Sequence, residues 1–493
     1  MLNILIVIGA SGDLTWRKIV PALFRLKIRG KLPEPFALIG VARTVMTDQQ
    51  WADRLRTEGG SALVPPGREE AWNEFTRSLF YCPGSATEDS TFQSVRSKMD
   101  QLEMDAGCPG QSNCVCYLAV SSRLYPEILA RLGESGLTNE TNGSRFCVVI
   151  EKPFGYDQAS AAALNKLTHE VLPEERIFRI DHYLGKETVN NIFALRFGNT
   201  IFEPLWNRQY IDHVQITAAE SVLVGHRGAF YETAGVLRDM FANHLLQLLA
   251  ITTMEPPSNF DADRVRDEKV KVLRAVRRLS EEEVPENIVV GQYEGYHQER
   301  GVDPESCVPT FSAIRLFIDD WRWKDVPFYL RSGKGMSCRT TQILIVYKEP
   351  PHCIFNECGT PGAMEVNRLL LQLQPAEGIR LTFLTKVPGT EMELRESVLS
   401  YSFEEQGTNQ PADAYERLLL DAFAGDASLF ARCDELEAAW NIIDPFNVWL
   451  DKQAKAGHKP PVYPVGNWGP EESNRWLDRD KRHWLDSCPV IRH

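Results

Sequence analysis

The sequence predicts an α/β domain followed by a larger α+β domain with a mainly antiparallel sheet. Three observations carry that expectation. An apolar run, Leu2-Asn3-Ile4-Leu5-Ile6-Val7-Ile8, turns sharply at Gly9-Ala10-Ser11-Gly12-Asp13 into a helical pattern beginning near Leu14. Strand-like and helix-like segments then alternate as far as residue 180, as in a mostly parallel sheet with covering helices. Beyond Tyr183 the pattern changes to long alternating segments suited to antiparallel pairing. At 493 residues the chain is too long for one ordinary core, and a boundary near residue 180 divides it into 1–180 and 181–493.

The first strand and its turn form a recognisable unit. Small residues there let a backbone approach a pyrophosphate, while the following helix offers unpaired N–H groups to negative charge, as in a Rossmann-like dinucleotide-binding domain. The spacing is GxxG, not the fuller GxGxxG, so an ordinary tight turn stands beside the nucleotide reading. The second strand, 36–42, ends in Arg43-Thr44. A carboxylate commonly follows that strand where the adenine ribose is unphosphorylated, and an arginine suits a 2′-phosphate, which tilts the cofactor toward NADP. The alternative is a surface arginine flanking the strand. Further strands are expected at 115–120, 146–150 and 177–180, helices at 124–132 and 158–167, and a polar connection at 133–144. In the second domain, strands are expected at 191–197, 211–218, 313–318, 342–346, 368–373 and 380–384. The charged stretch 264–283 reads as a solvated helix.

Composition excludes several functions. A formal net charge of -13 and a pI near 5.4 argue against nonspecific partnership with nucleic acid or anionic membrane. The eleven cysteines are scattered, and Cys114-Val115-Cys116 lacks the second pair of a zinc or iron–sulfur framework. Reduced structural thiols are the favoured reading, with disulfides left open by the sequence, and no metal site is expected. The run at 2–8 lacks a basic leader, and no apolar stretch reaches membrane-spanning length, so a cytoplasmic enzyme is the expected class.

The densest chemistry lies in Arg179-Ile180-Asp181-His182-Tyr183-Leu184-Gly185-Lys186-Glu187. His182, Tyr183 and Lys186 combine an imidazole, a hydroxyl and an ammonium suited to phosphate oxygens, and Lys152 follows a predicted strand toward the same crevice. The bland reading is a solvated turn. A second constellation runs from Gly235 to Gln247 through Arg238-Asp239-Met240-Phe241-Ala242-Asn243-His244, a helix with a buried apolar stripe. His244 there is either a rigidly held general base or a hydrogen-bonded core histidine.

These motifs, with Gly9 through Thr15, Glu151-Lys152-Pro153-Phe154-Gly155, Asp267 through Arg274, Val326 through Lys334 and Asp413 through Asp421, resemble the glucose-6-phosphate dehydrogenase family over almost the whole chain. The resemblance implies a dinucleotide-binding domain, a larger α+β domain, and assembly as a homodimer or homotetramer. It implies oxidation of D-glucose 6-phosphate to 6-phospho-D-glucono-1,5-lactone with hydride transfer to NADP, the entry step of the pentose phosphate pathway. His244 matches the base that takes the C1 hydroxyl proton, and Asp181 its carboxylate partner. His182, Tyr183 and Lys186 match the sugar-phosphate site, and Lys152, Lys334 and Arg339 match substrate contacts. Glu220 and Asp239 match carboxylates that hydrogen-bond sugar hydroxyls. Gly9, Ser11, Gly12, Asp13, Leu14, Lys18, Arg43, Thr44 and Lys152 match the cofactor side, and Pro153 a cis peptide. Trp16 stands where lysine is frequent in the family, and Val120-Ser121-Ser122 replaces a proline-containing turn. Two other readings are a silent protein retaining the binding module, and a dehydrogenase of a related hexose phosphate.

Overall fold

The computed structural model describes residues 1–140, 143–352, 354, 366–389, 392–402 and 413–488, so residues 141 and 142 of the expected connection at 133–144 lie outside the described residues. The chain forms two compact units. The first comprises Met1–Glu187, Pro257–Arg266 and Pro411–Glu437; the second comprises Thr188–Pro256, Asp267–Gln410 and Ala438–His493.

In the first unit six strands, β1 (Leu2–Ile8), β2 (Phe36–Ala42), β3 (Leu79–Pro83), β4 (Ser112–Leu118), β5 (Arg145–Ile150) and β6 (Ile177–Ile180), pair in the order β6-β5-β4-β1-β2-β3. All these pairs are parallel. A parallel strand covered on both faces needs no polar side, and Ile4 through Ile8 are buried without alternation. The chain grows from β1 to β2 and β3 on one side, then returns to β4 on the other. The carboxyl end of β1 is therefore the topological switch point, and Gly9 to Gly12 occupy it.

The observed elements refine the sequence reading in several places. The strand expected at 115–120 begins at Ser112, because Ser112 Oγ donates to Glu103 Oε1 (2.6 Å) and Asn113 Nδ2 to the Phe423 carbonyl (3.0 Å), letting polar residues enter the sheet. The five-residue β3 was not anticipated. The helix near Leu14 opens with a π-helical turn, Thr15–Ile19, before Val20–Ile28. Helices Tyr125–Glu134 and Gln158–Val171 fall where expected, the latter started by a reciprocal Asp157/Ser160 cap.

The second unit contains β7 (Ile211–Ala219), β8 (Ile288–Tyr293), β9 (Phe311–Phe317), β10 (Pro327–Gly333), β11 (Thr340–Tyr347), β12 (Arg368–Gln374), β13 (Gly378–Lys386) and β14 (Leu394–Ser402). They pair as β14-β13-β12-β11-β7-β10-β9-β8, with the short strand Val462–Tyr463 added to β8. Pairing is antiparallel throughout, except between β7 and β10 and at that last strand. The mainly antiparallel sheet predicted from the alternating segments is the one observed.

Four expectations change. Residues 191–197 belong to the helix Glu187–Phe197: Val189, Ile192, Phe193 and Arg196 are buried at i, i+3, i+4 and i+7, so helical periodicity wins over the local alternation. Arg196 is accommodated by donating to the Ile251 carbonyl (3.0 Å) and pairing with Glu203 (3.4 Å). The charged stretch 264–283 is helical only within Ala262–Ala275, and Arg266 and Lys269 are buried, so it is not simply solvated. Cys338 and Cys488 form a disulfide across a Cα separation of 6.0 Å, where reduced thiols were favoured; both sites lie in the second unit. Finally, the first unit does not stop at 180. It runs on through Glu187 and recruits later chain, because Phe430–Ala431 pairs antiparallel with β6 and helix Ala414–Ala424 brings in the buried Glu416. That carboxylate accepts from Arg25 Nε (2.6 Å) and Arg29 Nη1 (2.8 Å). Among the described residues no helix is long and apolar enough to cross a membrane.

Glu416→Ala removes both charge-assisted bonds and leaves Arg25 with the longer approach to Asp413 Oδ2 (3.4 Å). It should cost about 2–4 kcal/mol, less than full burial of both ions would imply because the arginines are half exposed. A denaturant midpoint within error of wild type would refute the anchoring role.

Candidate active site

The glycine turn after β1 is set by hydrogen bonds to the neighbouring strand. Gly9 N–H and Ala10 N–H donate to the Val41 carbonyl (2.8 and 3.1 Å), and Gly12 N–H returns to the Gly9 carbonyl (2.9 Å). Gly9 has φ +99°, and a Cβ there would lie 2.4 Å from the Ala119 carbonyl oxygen, so both conformation and space require glycine. Trp51 Nε1 donates to the Ala10 carbonyl (3.1 Å) and braces the turn from helix Asp48–Leu63. Ser11 and Gly12 are half-buried, while Asp13 is exposed and paired with Arg17 (2.9 Å). Leu14 and Lys18 follow; Lys18 Nζ lies 3.6 Å from Asp413 and 5.8 Å from the Tyr415 ring. Arg43 and Thr44 are exposed beyond β2, and the Thr44 carbonyl accepts from Tyr81 Oη (2.7 Å). Arg54 was missed by the sequence reading: its Nη2 reaches the Ser11 carbonyl (3.4 Å), placing a cation at the glycine turn. Its only sequence signal is one helical turn of spacing from Trp51.

Two further motifs lie at the carboxyl ends of β5 and β6. Glu151 accepts from Tyr117 Oη (2.5 Å) and Tyr415 Oη (3.2 Å), while Tyr125 Oη donates to its carbonyl (3.0 Å). Burial pushes the Glu151 carboxyl above its ordinary range, against the opposing effect of the two phenols and Lys152. Lys152 and Pro153 follow directly, joined by a cis peptide. After β6, Asp181 is buried and its Oδ1 accepts from Tyr183 N–H (3.0 Å). Leu184 N–H and Lys186 N–H then close successive turns on the Asp181 and Tyr183 carbonyls (3.0 and 3.1 Å). This winding gathers the phosphate-type groups: the His182 and Tyr183 rings are 4.9 Å apart, and Lys186 Nζ stands 3.7 Å from the Tyr183 ring centre. Gly185 permits it, since a Cβ there would meet the Ala414 carbonyl at 3.0 Å and Leu418 at 2.9 Å.

The second unit carries the remaining predicted residues. Gly235 (φ +59°) breaks the preceding helix, and Leu237–Leu245 follows as a π-helix continued by Leu246–Thr253. Wide turns of this kind often occur at functional sites, where they re-aim side chains. His244 is buried, and Leu245 through Ile251 are buried on every face, where the sequence suggested one apolar stripe. Asp239 lies one turn earlier. β7 and β10 run parallel with Ala219 opposite Gly333, so Glu220 and Lys334 leave the sheet together. Lys334, 2% exposed, hydrogen-bonds Glu220 and lies 3.8 Å from Asp239 Oδ2. Tyr463 Oη holds the Lys334 carbonyl (2.6 Å). Glu220, Asp239 and Lys334 are thus one ion-paired group. Arg339 is exposed just before β11. Asp181 belongs to the first unit and His244 to the second.

A glycine-lined switch point bordered by cations, in a chain that also holds buried acid, base and lysine groups, defines the class: a dinucleotide-dependent dehydrogenase of a polar, anionic substrate. Residues 6–191 match the family described as glucose-6-phosphate dehydrogenase, NAD binding domain, and residues 193–485 match its C-terminal domain. The chain belongs to the glucose-6-phosphate dehydrogenase family. It is 40% identical over 491 residues to the glucose-6-phosphate 1-dehydrogenase of Aggregatibacter actinomycetemcomitans, covering 97% of this chain and 96% of the relative. Its structure is similar to that of a glucose-6-phosphate dehydrogenase in complex with its substrate glucose-6-phosphate, with a TM-score of 0.89, 31% identity and 98% of each chain covered. It is also similar to glucose-6-phosphate 1-dehydrogenase from Mycobacterium avium, with a TM-score of 0.84, 32% identity, and 99% of this chain and 100% of the other covered.

Gly185→Ala forces a methyl against backbone and should destabilise the first unit by roughly 1–3 kcal/mol. The loss should be accompanied by a raised KM for the phosphorylated substrate, because the Asp181-to-Lys186 turn must shift. Unchanged thermal unfolding and unchanged KM together would show that the close approach is not limiting.

Proposed function

We propose that His244 is the general base, and Asp181 its carboxylate partner, in the oxidation of D-glucose 6-phosphate to 6-phospho-D-glucono-1,5-lactone, the reaction this chain catalyses. The proposal extends to NADP as the favoured cofactor and to a cytoplasmic homodimer or homotetramer as the working form. The observation that carries the site assignment is the Asp181-to-Lys186 turn, which fixes a buried carboxylate beside a histidine, a phenol and an ammonium.

The dinucleotide fits the first unit on the chemistry of its glycine turn: the Gly9 and Gly12 backbone has no side chain in the way, a helix begins behind it, and Arg54 reaches it. Gly9, Ser11, Gly12, Asp13, Leu14 and Lys18 would hold the pyrophosphate side. Arg43 and Thr44 would meet the adenosine end. After β2 the chain runs Arg43-Thr44-Val45-Met46-Thr47, with no carboxylate before Asp48 to accept a ribose hydroxyl. That favours a 2′-phosphate. When bound, the cofactor supplies the hydride acceptor at nicotinamide C4.

The chain's own residues do the rest. His182, Tyr183 and Lys186 receive the substrate phosphate with charge and directed donors, overcoming the repulsion expected from a protein of net charge -13. Lys152, Lys334, Glu220 and Asp239 orient the sugar hydroxyls; a buried, ion-paired lysine changes position little between free and bound states. His244 removes the C1 hydroxyl proton, raising electron density at C1, and Asp181 stabilises the imidazolium that forms. The exposed Val398, Leu399 and Tyr401 of β14 support assembly, since a second copy would cover them.

His244→Asn should fold and bind substrate yet lose about 10²- to 10⁴-fold in kcat, the share general-base catalysis supplies, with a smaller loss for Asp181→Asn. Near-normal turnover in a folded His244→Asn protein would remove the assignment. Arg43→Ala should raise KM for NADP much more than KM for NAD, measured with glucose 6-phosphate saturating. Equal effects on the two cofactors would place the 2′-phosphate elsewhere.

A further inference from the structure

Three side chains far apart in sequence meet in the first unit, away from the residues assigned above. His169 lies near the end of helix Gln158–Val171, Glu174 begins the 3₁₀ turn Glu174–Arg176 that enters β6, and Cys433 opens helix Cys433–Lys455. An imidazole nitrogen, a carboxylate oxygen and the thiol sulfur lie within 4.8 Å of one another. We propose that His169, Glu174 and Cys433 form a binding site for a borderline-soft divalent cation of the zinc class.

The donor set is one nitrogen, one oxygen and one sulfur, the mixture that zinc accepts and that hard cations such as magnesium avoid. Bonds of about 2.0–2.3 Å would set the donors of a tetrahedral ion roughly 3–4 Å apart, so small side-chain rotations suffice. The carboxylate is already aimed. Glu174 Oε1 accepts from Arg179 Nη1 (2.6 Å) and from Cys433 N–H (3.1 Å), which leaves Oε2 turned to His169 Nε2 at 2.7 Å. Outer bonds that orient a ligating carboxylate in this way are a regular feature of metal centres. Access is open: His169 is exposed, and Glu174 and Cys433 are half-buried, leaving room for water as a fourth ligand.

As the sulfur–metal bond forms, the thiol proton leaves to solvent; thiolate and carboxylate together balance the divalent charge. Arg179 opposes the ion, and its bond to Oε1 also withdraws it from the open side of the site. The three donors come from the helix before β6, the turn into β6, and the chain just past the strand Phe430–Ala431 that pairs with β6. A bound ion would therefore fasten the late segment to the sheet edge. It would act on stability, not on chemistry at the sugar. The competing account is a plain His169–Glu174–Arg179 ion cluster that takes no metal.

The full chain, stripped with chelator, should bind one equivalent of Co²⁺ with a near-ultraviolet sulfur-to-cobalt band that Zn²⁺ abolishes by competition. Cys433→Ser should lose the band, His169→Gln should weaken binding at least ~10-fold, and Cys307→Ser, in the second unit, should change nothing. Zn²⁺ should raise the melting temperature of wild type and not of Cys433→Ser. Absence of the band in wild type overturns the proposal without recourse to any variant, and so does a band that survives in folded Cys433→Ser. Loss of His244 activity bears on the catalytic assignment alone and leaves this test untouched.

Discussion

Lys334 is almost completely withdrawn from water, and an ammonium in that position costs several kcal/mol unless carboxylates meet it. That constraint shapes the second unit. Glu220 and Asp239 meet the charge, and the arrival of Glu220 depends on the parallel pairing of β7 with β10 in a sheet that is otherwise mainly antiparallel among the described residues. Because β7 and β10 run the same way in register, the residues that follow Ala219 and Gly333 emerge side by side. Asp239 comes from the π-helix after Gly235, which carries His244 one turn later. Pairing, helix geometry and charge balance thus hold one another in place before any substrate arrives, which is the preorganisation that catalysis by positioned groups requires.

The first unit solves the same problem with chain borrowed from far downstream. Glu151 is half-buried and keeps its place through the phenols of Tyr117 and Tyr415; Glu416, next along the same late helix, takes Arg25 and Arg29 from the end of the first helix of the unit. The late helix also approaches Gly185 so closely, through the Ala414 carbonyl and Leu418, that a Cβ there would force a shift. One returning segment therefore supports both Lys152 and the Asp181-to-Lys186 turn. Contacts of such separation carry a loop-closure cost, which the burial and pairing around Glu416 offset.

Much of this was legible in the sequence because it is locally encoded. The uninterrupted apolar run of β1, the turn at Gly9 and Gly12, and the crowd of functional groups between Asp181 and Lys186 each lie within a few residues, where side-chain type and backbone conformation are directly linked. In the second unit β7, β9, β11, β12 and β13 announced themselves by alternation, whereas β8, β10 and β14 did not. Residues 191–197 show the limit: their alternation suggested a strand, but Val189, Ile192, Phe193 and Arg196 find their burial on one helical face, and Arg196 enters the interior only because the Ile251 carbonyl and Glu203 are there.

The sequence by itself determined the fold class, the family and the chemical inventory of the site, since periodicity, turn residues and motif composition act over short stretches of chain. Tertiary structure alone decided which charges are paired, where the first unit ends, that Cys338 bonds to Cys488, that Arg54 reaches the glycine turn and that His169, Glu174 and Cys433 meet. Those outcomes rest on free-energy terms between groups that only folding brings within a few ångströms: desolvation, ion pairing and close packing. No local pattern could specify Arg25 as the partner of Glu416, because their attraction exists only once the late helix has docked and excluded water from the carboxylate.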